Sequence, residues 1–260
     1  MKKLALALTA IAAFSGSALA ADLPAAPVYS KAPVVMAPVY NWTGFYIFGG
    51  AGGGVWDADQ NSVNAAGNAT TINQRSGGDG WFGTVGAGYD WQFNNSWVAG
   101  IFADGQFGSL RGNINDPFLN LTGGVKLQDT WAAGVRLGYL VAPNVYSYVN
   151  AGFTESFWNG ASLGPVTGTG GIVNTPSFNS NGWFVGGGVE NNLNIFGITA
   201  PGWFMKTEYR AAYFDRATLA ETNNAGVLTG NSTSFHPLVQ TVSTSLVYRF
   251  NWGGPVVAKY

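Results

Sequence analysis

The chain has 260 residues, of which 10% are charged, 15% are aromatic and 38 are glycine, with a formal net charge of -1 and no cysteine. So little charge cannot cover a soluble domain, in which about a quarter of residues are Asp, Glu, Lys or Arg, and the near balance of signs excludes a nucleic-acid binder. The lack of cysteine excludes a disulfide framework, a thiol nucleophile and a cysteine-ligated metal.

Lys2 and Lys3 precede an apolar run from Leu4 to Phe14, and Ala18-Leu19-Ala20 has the small-x-small form of a signal-peptidase site. Residues 1–20 are read as a cleaved signal peptide, whose loss leaves 10 Lys and Arg against 13 Asp and Glu, a net charge of -3. Residues 21–41 carry Pro24, Pro27, Pro33 and Pro38 among alanines. Proline removes ladder donors and fixes φ, so this segment is expected to be an extended periplasmic leader. No later stretch approaches the roughly 18 to 20 apolar residues of a spanning helix.

Residues 42–250 contain eight alternating runs: Gly44–Trp56, Trp81–Phe93, Trp97–Gly108, Leu127–Leu140, Val145–Ser156, Gly182–Asn191, Trp203–Phe214 and Val239–Phe250. Their lengths suit tilted strands that cross hydrocarbon. Long polar segments separate the first and second, third and fourth, fifth and sixth, and seventh and eighth runs. Shorter connections, among them Asn94-Asn95-Ser96 and Ala142-Pro143-Asn144, alternate with them. This is the pattern of an all-β, eight-stranded antiparallel up-and-down transmembrane barrel with long external loops and short periplasmic turns.

The period of two fixes which residues point out. Trp81, Phe107, Trp131, Trp183 and Tyr213 fall at the loop ends of the outward rows, and Phe93, Trp97, Tyr139, Trp203 and Phe250 at the turn ends. Between them lie Val85, Ala87, Ile101, Ala103, Val135, Leu137, Val149, Ala151 and Ala211, an apolar band between two aromatic girdles. The inward face carries Asp90, Asp104, Arg136, Glu190, Lys206, Glu208, Arg210 and Arg249, four acids and four bases. Buried charges are tolerated only when paired, and eight strands enclose a bore that side chains can fill, so a plugging charge network is expected. Inward Gly86, Gly88, Gly100, Gly134, Gly138, Gly152, Gly186 and Gly188 carry no side chain and leave open the alternative of water-filled space.

His236 is the only histidine, so metal sites needing two imidazoles are excluded, and no metal or other cofactor is expected. Ser232, Ser234, Asp215 and Glu221 lie near it in sequence, but no G-x-S-x-G is present and no third partner is fixed, so the chain is read as a non-enzyme. Asp57-Ala-Asp59-Gln-Asn61 begins like a calcium loop, yet Ser62 and Asn68 stand where glycine and glutamate are required.

Asn41-Trp42-Thr43-Gly44-Phe45-Tyr46, Gly186-Gly187-Gly188-Val189-Glu190, Lys206-Thr207-Glu208-Tyr209 and Tyr248-Arg249-Phe250, in that order and at barrel spacing, resemble the small outer-membrane immunogenic proteins of alphaproteobacteria. The resemblance runs from the signal peptide to Tyr260. It implies an OmpA-like barrel of the porin family, exposed at the surface of the outer membrane. It also implies outer-membrane lipid, lipopolysaccharide and the assembly machinery as partners, with host or environmental ligands at the loops and no defined reaction. Residues 251–260 depart from it, since outer-membrane barrels commonly end on the aromatic that closes the last strand, and both Phe250 and Tyr260 are candidates for that signal. The resulting expectation is a structural, surface-interacting barrel. The alternatives are a narrow channel for small solutes or ions, haemin binding, or a lipid-modifying barrel.

Overall fold

The computed structural model describes Tyr40 to Phe250 except residues 71–72, 117–118, 167–171 and 196–197. The segment read as signal peptide, all of the leader before Tyr40, and residues 251–260 with Tyr260 lie outside the described residues.

The strands are β1 (Gly44–Val63), β2 (Gln74–Phe93), β3 (Trp97–Asp116), β4 (Leu121–Ala142), β5 (Val145–Trp158), β6 (Ala161–Pro165), β7 (Val173–Thr175), β8 (Phe178–Ile195), β9 (Ile198–Phe214), β10 (Ala217–Asn223) and β11 (Leu228–Phe250). Antiparallel pairing runs β1-β2-β3-β4-β5-β8-β9-β11, and β11 returns to β1 from Phe45–Phe250 to Val63–Ser232, closing a ring of eight. Closure leaves no open sheet edge in lipid, where an unpaired backbone group would cost several kcal/mol.

The three short strands continue three members of that ring. β5 pairs with β4 as far as Trp158–Leu127, and β6 resumes the same ladder at Gly164–Thr122. β8 and β7 pair in succession with β5 and β6, through Phe178–Trp158 and then Thr175–Ala161. β9 and β10 do the same along β11, through Tyr213–Leu238 and then Ala217–Phe235. The barrel is therefore eight long staves, three of them broken near one level at Asn159-Gly160, Pro176-Ser177 and Asp215-Arg216. Proline and glycine interrupt ladders for known reasons, the first lacking a donor and the second lacking a side chain to pack.

The long external loops expected from the sequence are mostly strand. Among the described residues, turns interrupt these segments at residues 64–70, 119–120 and 224–227. Within the segments read as loops, Ile114, Leu121, Val125, Leu163, Val173 and Leu219 point inward and are buried, and Ile114, Leu121 and Leu163 stand between asparagine, threonine, serine or glycine neighbours that mask the alternation. Two of the reversals share a local code. The Asn64 side-chain oxygen accepts from the Ala66 and Asn68 amides, that of Asn223 accepts from Ala225 and Val227, and Gly67 and Gly226 supply the positive φ each turn needs. On the opposite side, Asn94 and Asn95 both adopt positive φ in the tight turn from β2 to β3, the backbone a two-residue hairpin requires. The connection between the sixth and seventh predicted runs also shrinks, because β8 and β9 keep pairing to Ile195–Ile198 past an irregularity at Asn192 and Asn194.

Candidate functional site in the barrel lumen

The eight inward charges read from the sequence fall into two compact groups. In the group nearer the short turns, Arg136 of β4 grips Asp90 of β2 with Nε at 2.9 Å and also with Nη2, and reaches Glu190 of β8 at 3.3 Å. Arg249 of β11 contacts the same two carboxylates, Asp90 at 2.8 Å and Glu190 at 2.6 Å. Two bases thus share two acids, and all four side chains are almost wholly buried. In the second group Arg210 of β9 holds Asp104 of β3 through both terminal nitrogens, at 2.9 and 2.6 Å, and reaches Glu208 at 2.9 Å. Lys206 lies 3.7 Å from Glu208, which also accepts from Tyr148 Oη at 2.7 Å. Each group is neutral as a unit. Paired, hydrogen-bonded charges of this kind tolerate burial, and the forked arginine contacts fix their geometry.

Aromatic rings separate and line these groups. Arg136 stands over the Tyr46 ring at 4.2 Å, Arg249 over Trp42 at 4.6 Å, Arg210 over Phe184 at 4.5 Å and Lys206 over Phe48 at 3.4 Å. Such contacts favour a cation most where water is excluded. The rings occupy the space in front of the inward glycines. A Cβ built at Gly86 would lie 2.5 Å from Phe48 Cζ, at Gly134 2.9 Å from Phe184 Cζ, and at Gly138 2.7 Å from Tyr148 Cβ. At Gly88 it would meet the Tyr46 hydroxyl, and at Gly100 the Asp90 carboxylate. These inward glycines are therefore sockets for side chains from other strands. Gly152→Val is expected to lower stability by about 1 to 3 kcal/mol through overpacking, since its Cβ would lie 2.9 Å from Phe184 Cε1. Urea titration in micelles measures this. Gly124→Ala, where a Cβ meets nothing within 4 Å, should leave the midpoint unchanged.

Beyond the ion groups on either side lie buried aromatics with no assigned role in the sequence reading. Below the lower ion group Trp42 is fully buried, donates from its backbone to Gln92 at 2.8 Å, and packs on Phe204 and Tyr146 with centroids 5.0 and 5.4 Å away. Tyr40, placed in the leader on sequence grounds, packs on Phe204 at 4.8 Å. Above the upper group, Trp56 of β1, Trp158 of β5 and Phe235 of β11 meet with centroids 5.2 to 5.7 Å apart, over Leu110, Ile114 and Leu127. These inward aromatics were legible only as members of alternating runs. Their partners are set by register.

The outer surface carries the remaining predicted residues. Trp81, Phe107, Trp131, Trp183 and Tyr213 are exposed toward the long-hairpin end, and Phe93, Trp97, Tyr139, Trp203 and Phe250 toward the short-turn end. Ile101, Val85, Val135, Leu137 and Val149 are exposed between them. Trp183 stacks on Tyr213 at 4.5 Å, and Trp97 meets Tyr139 edge-on at 5.4 Å, both across paired strands.

His236 faces outward on β11 opposite Asp59 of β1. Among the described residues its ring makes no hydrogen bond to a serine; Ser234 accepts from Arg216, and Glu221 accepts from Thr233. Among the described residues there is also no cluster of three His, Asp or Glu side chains arranged to hold a metal.

No family model matches the chain. The 31 kDa outer-membrane immunogenic proteins of Brucella melitensis biotype 1 and Brucella suis biovar 1 are each 30% identical to it over 96% of this chain and all of theirs. Among solved structures, the outer membrane protein OprG from Pseudomonas aeruginosa is similar over 81% of this chain and 98% of its own, at 11% identity and a TM-score of 0.52, a likeness of fold. The closed ring of eight staves, its apolar exterior and this full-length similarity together place the chain in the 31 kDa outer-membrane immunogenic protein family, as an integral β-barrel of the outer membrane.

Proposed function

We propose that the protein is a structural and surface-presenting barrel with a plugged lumen and no reaction of its own. The observation that carries this reading is the pairing of Asp90, Asp104, Arg136, Glu190, Lys206, Glu208, Arg210 and Arg249 into two neutral groups, with aromatic rings packed between and beyond them. A permeant ion would have to break these pairs, and each buried charge left alone costs several kcal/mol. The girdled band meets lipid and lipopolysaccharide, Phe250 or Tyr260 offers the closing aromatic to the assembly machinery, and the hairpin tips face external ligands.

One observation favours a narrow channel as the second reading. Among the described residues, Asn150 Nδ2 and Oδ1, Ser245 Oγ and Arg210 Nε are buried without a hydrogen-bond partner, which suits a thread of water past the ion groups. Planar-bilayer recording of the purified, refolded full chain separates the two. The expected result is no reproducible conductance step. Steps that change size on Glu208→Lys would replace the plugged reading with the channel.

A further inference from the structure

The stave made of β5 and β6 is broken beside two bases. β5 follows β4 as far as Trp158–Leu127, and β6 rejoins it at Gly164–Thr122. Between these points the Asn159 amide donates to the Lys126 carbonyl at 3.0 Å, and an open recess lies alongside. Arg111 and Asn113 of β3, Gly124 and Lys126 of β4, and Asn159 and Gly160 at the break line it, and no carboxylate does. Leu110, Ile114, Val125 and Leu127 of the same strands are buried inward, so by alternation Arg111, Asn113, Gly124 and Lys126 face the outside.

Arg111 and Lys126 stand directly opposite each other in the β3–β4 ladder. Like charges in that relation repel, and the repulsion is relieved only by something negative between them. Among the described residues neither base makes an ion pair. Arg111 Nε donates to Ser109 Oγ at 2.8 Å, which leaves both terminal nitrogens and the Lys126 ammonium without a partner among those residues. The outward acids beside them line other hollows. Asp79, opposite Arg111 on β2, lines a recess with Gly53, Tyr209 and Gln240, and Asp129 lines a cleft with Gln106 and Leu127. Arg75 is already matched by Asp57 and Asp59.

Height decides what fills the recess. Arg111 follows Phe107 of the outer girdle by two outward positions on β3, which at about 3.4 Å per residue and a tilt of about 40° sets it roughly 10 Å further from the hydrocarbon. Girdle aromatics mark the membrane interface, so both bases lie at the level of outer-leaflet headgroups. Gly124, where a Cβ would meet nothing within 4 Å, leaves the wall open to a bulky group.

We infer that Arg111 and Lys126 form a seat for a phosphate of lipopolysaccharide, gripping the phosphorylated glucosamine headgroup of one lipid at the break between β5 and β6. The arginine fork takes two phosphate oxygens and the ammonium a third. The side-chain amides of Asn113 and Asn159 lie beside them for sugar hydroxyls. The inference rests on the reading above that the outer wall meets lipopolysaccharide, and it names the part of that lipid which is held.

The test uses the full chain, refolded in micelles and titrated with bisphosphorylated lipid A and with the same lipid stripped of phosphate, while native mass spectrometry counts bound lipid. The native protein is expected to bind the phosphorylated form at least about tenfold more tightly. Side-chain nitrogen NMR signals of Arg111 and Lys126 should move with that form alone. Arg111→Gln and Lys126→Gln should each weaken binding by about tenfold, and Gly124→Leu, which fills the recess and keeps both charges, should weaken it too. Unmoved Arg111 and Lys126 signals overturn the seat whether or not any variant folds, and so does undiminished binding by a folded Arg111→Gln, Lys126→Gln double variant. Inorganic phosphate that binds as tightly as the lipid makes the recess a free-anion site and overturns lipid docking. Binding of neither lipid overturns both the seat and the lipopolysaccharide-facing wall, whereas equal binding of the two removes the seat alone.

Discussion

Arg136→Ala is expected to destabilise the barrel by about 3 to 5 kcal/mol, because it leaves two buried carboxylates to share one remaining arginine. Asp90 would keep only its 2.8 Å contact with Arg249, and Glu190 its 2.6 Å contact with the same side chain. The loss should appear as a lower urea midpoint in micelles and a lower temperature for the shift from folded to unfolded mobility on gels. Removing a guanidinium also removes packing over the Tyr46 ring, so charge and volume need separating. The double variant Arg136→Ala with Asp90→Asn restores neutrality to the group while keeping the cavity. It should be more stable than Arg136→Ala alone, and equal stability would show that the arginine acts by packing only.

Trp42→Ala should cost a comparable amount, about 3 to 5 kcal/mol, through loss of a fully buried indole. The side chain packs against Tyr40, Tyr146 and Phe204 and lies beneath the Arg249 guanidinium, while its backbone carbonyl accepts from that guanidinium at 3.3 Å. Trp42→Phe retains most of the ring contact and should lose less than half as much. The urea midpoints of both variants, read in the same micelles, check this order. If Trp42→Ala is as stable as the native protein, the aromatic packing at the short-turn end carries no weight in the fold.

Strand identity and facing were largely readable in the chain, since a period of two is a local property. Trp81 to Phe93 declares its outward row without reference to any other strand, and Asp90 follows on the opposite face. The extracellular continuation was harder to see, because Ile114, Val125 and Leu163 sit singly among glycine, threonine and asparagine, where composition resembles a loop. Contacts that depend on register were not readable at all. Gly134 and Gly152 look vacant in their own strands and are filled by Phe184 from a third. Trp42 offered a motif but no partner, for its neighbours Tyr146 and Phe204 lie more than a hundred residues away along the chain. The inward position of the eight charges could be written down from parity, whereas their division into two groups required knowing which strands face each other.

That division bears on how the sheet finds its last pairing. To the two ion groups β1 to β4 contribute two acids and one base, Asp90, Asp104 and Arg136, and the later strands three bases and two acids. Before Phe45 meets Phe250, the two contributions to these ion groups therefore carry opposite net charges. Three ion pairs, Arg136–Glu190, Arg210–Asp104 and Arg249–Asp90, join one half to the other. Contacts of such sequence separation form late in folding, and here the halves attract each other until the circle is complete. A sheet that closes out of register would leave charges unmatched in hydrocarbon, so the polar interior acts as a proofreader of assembly.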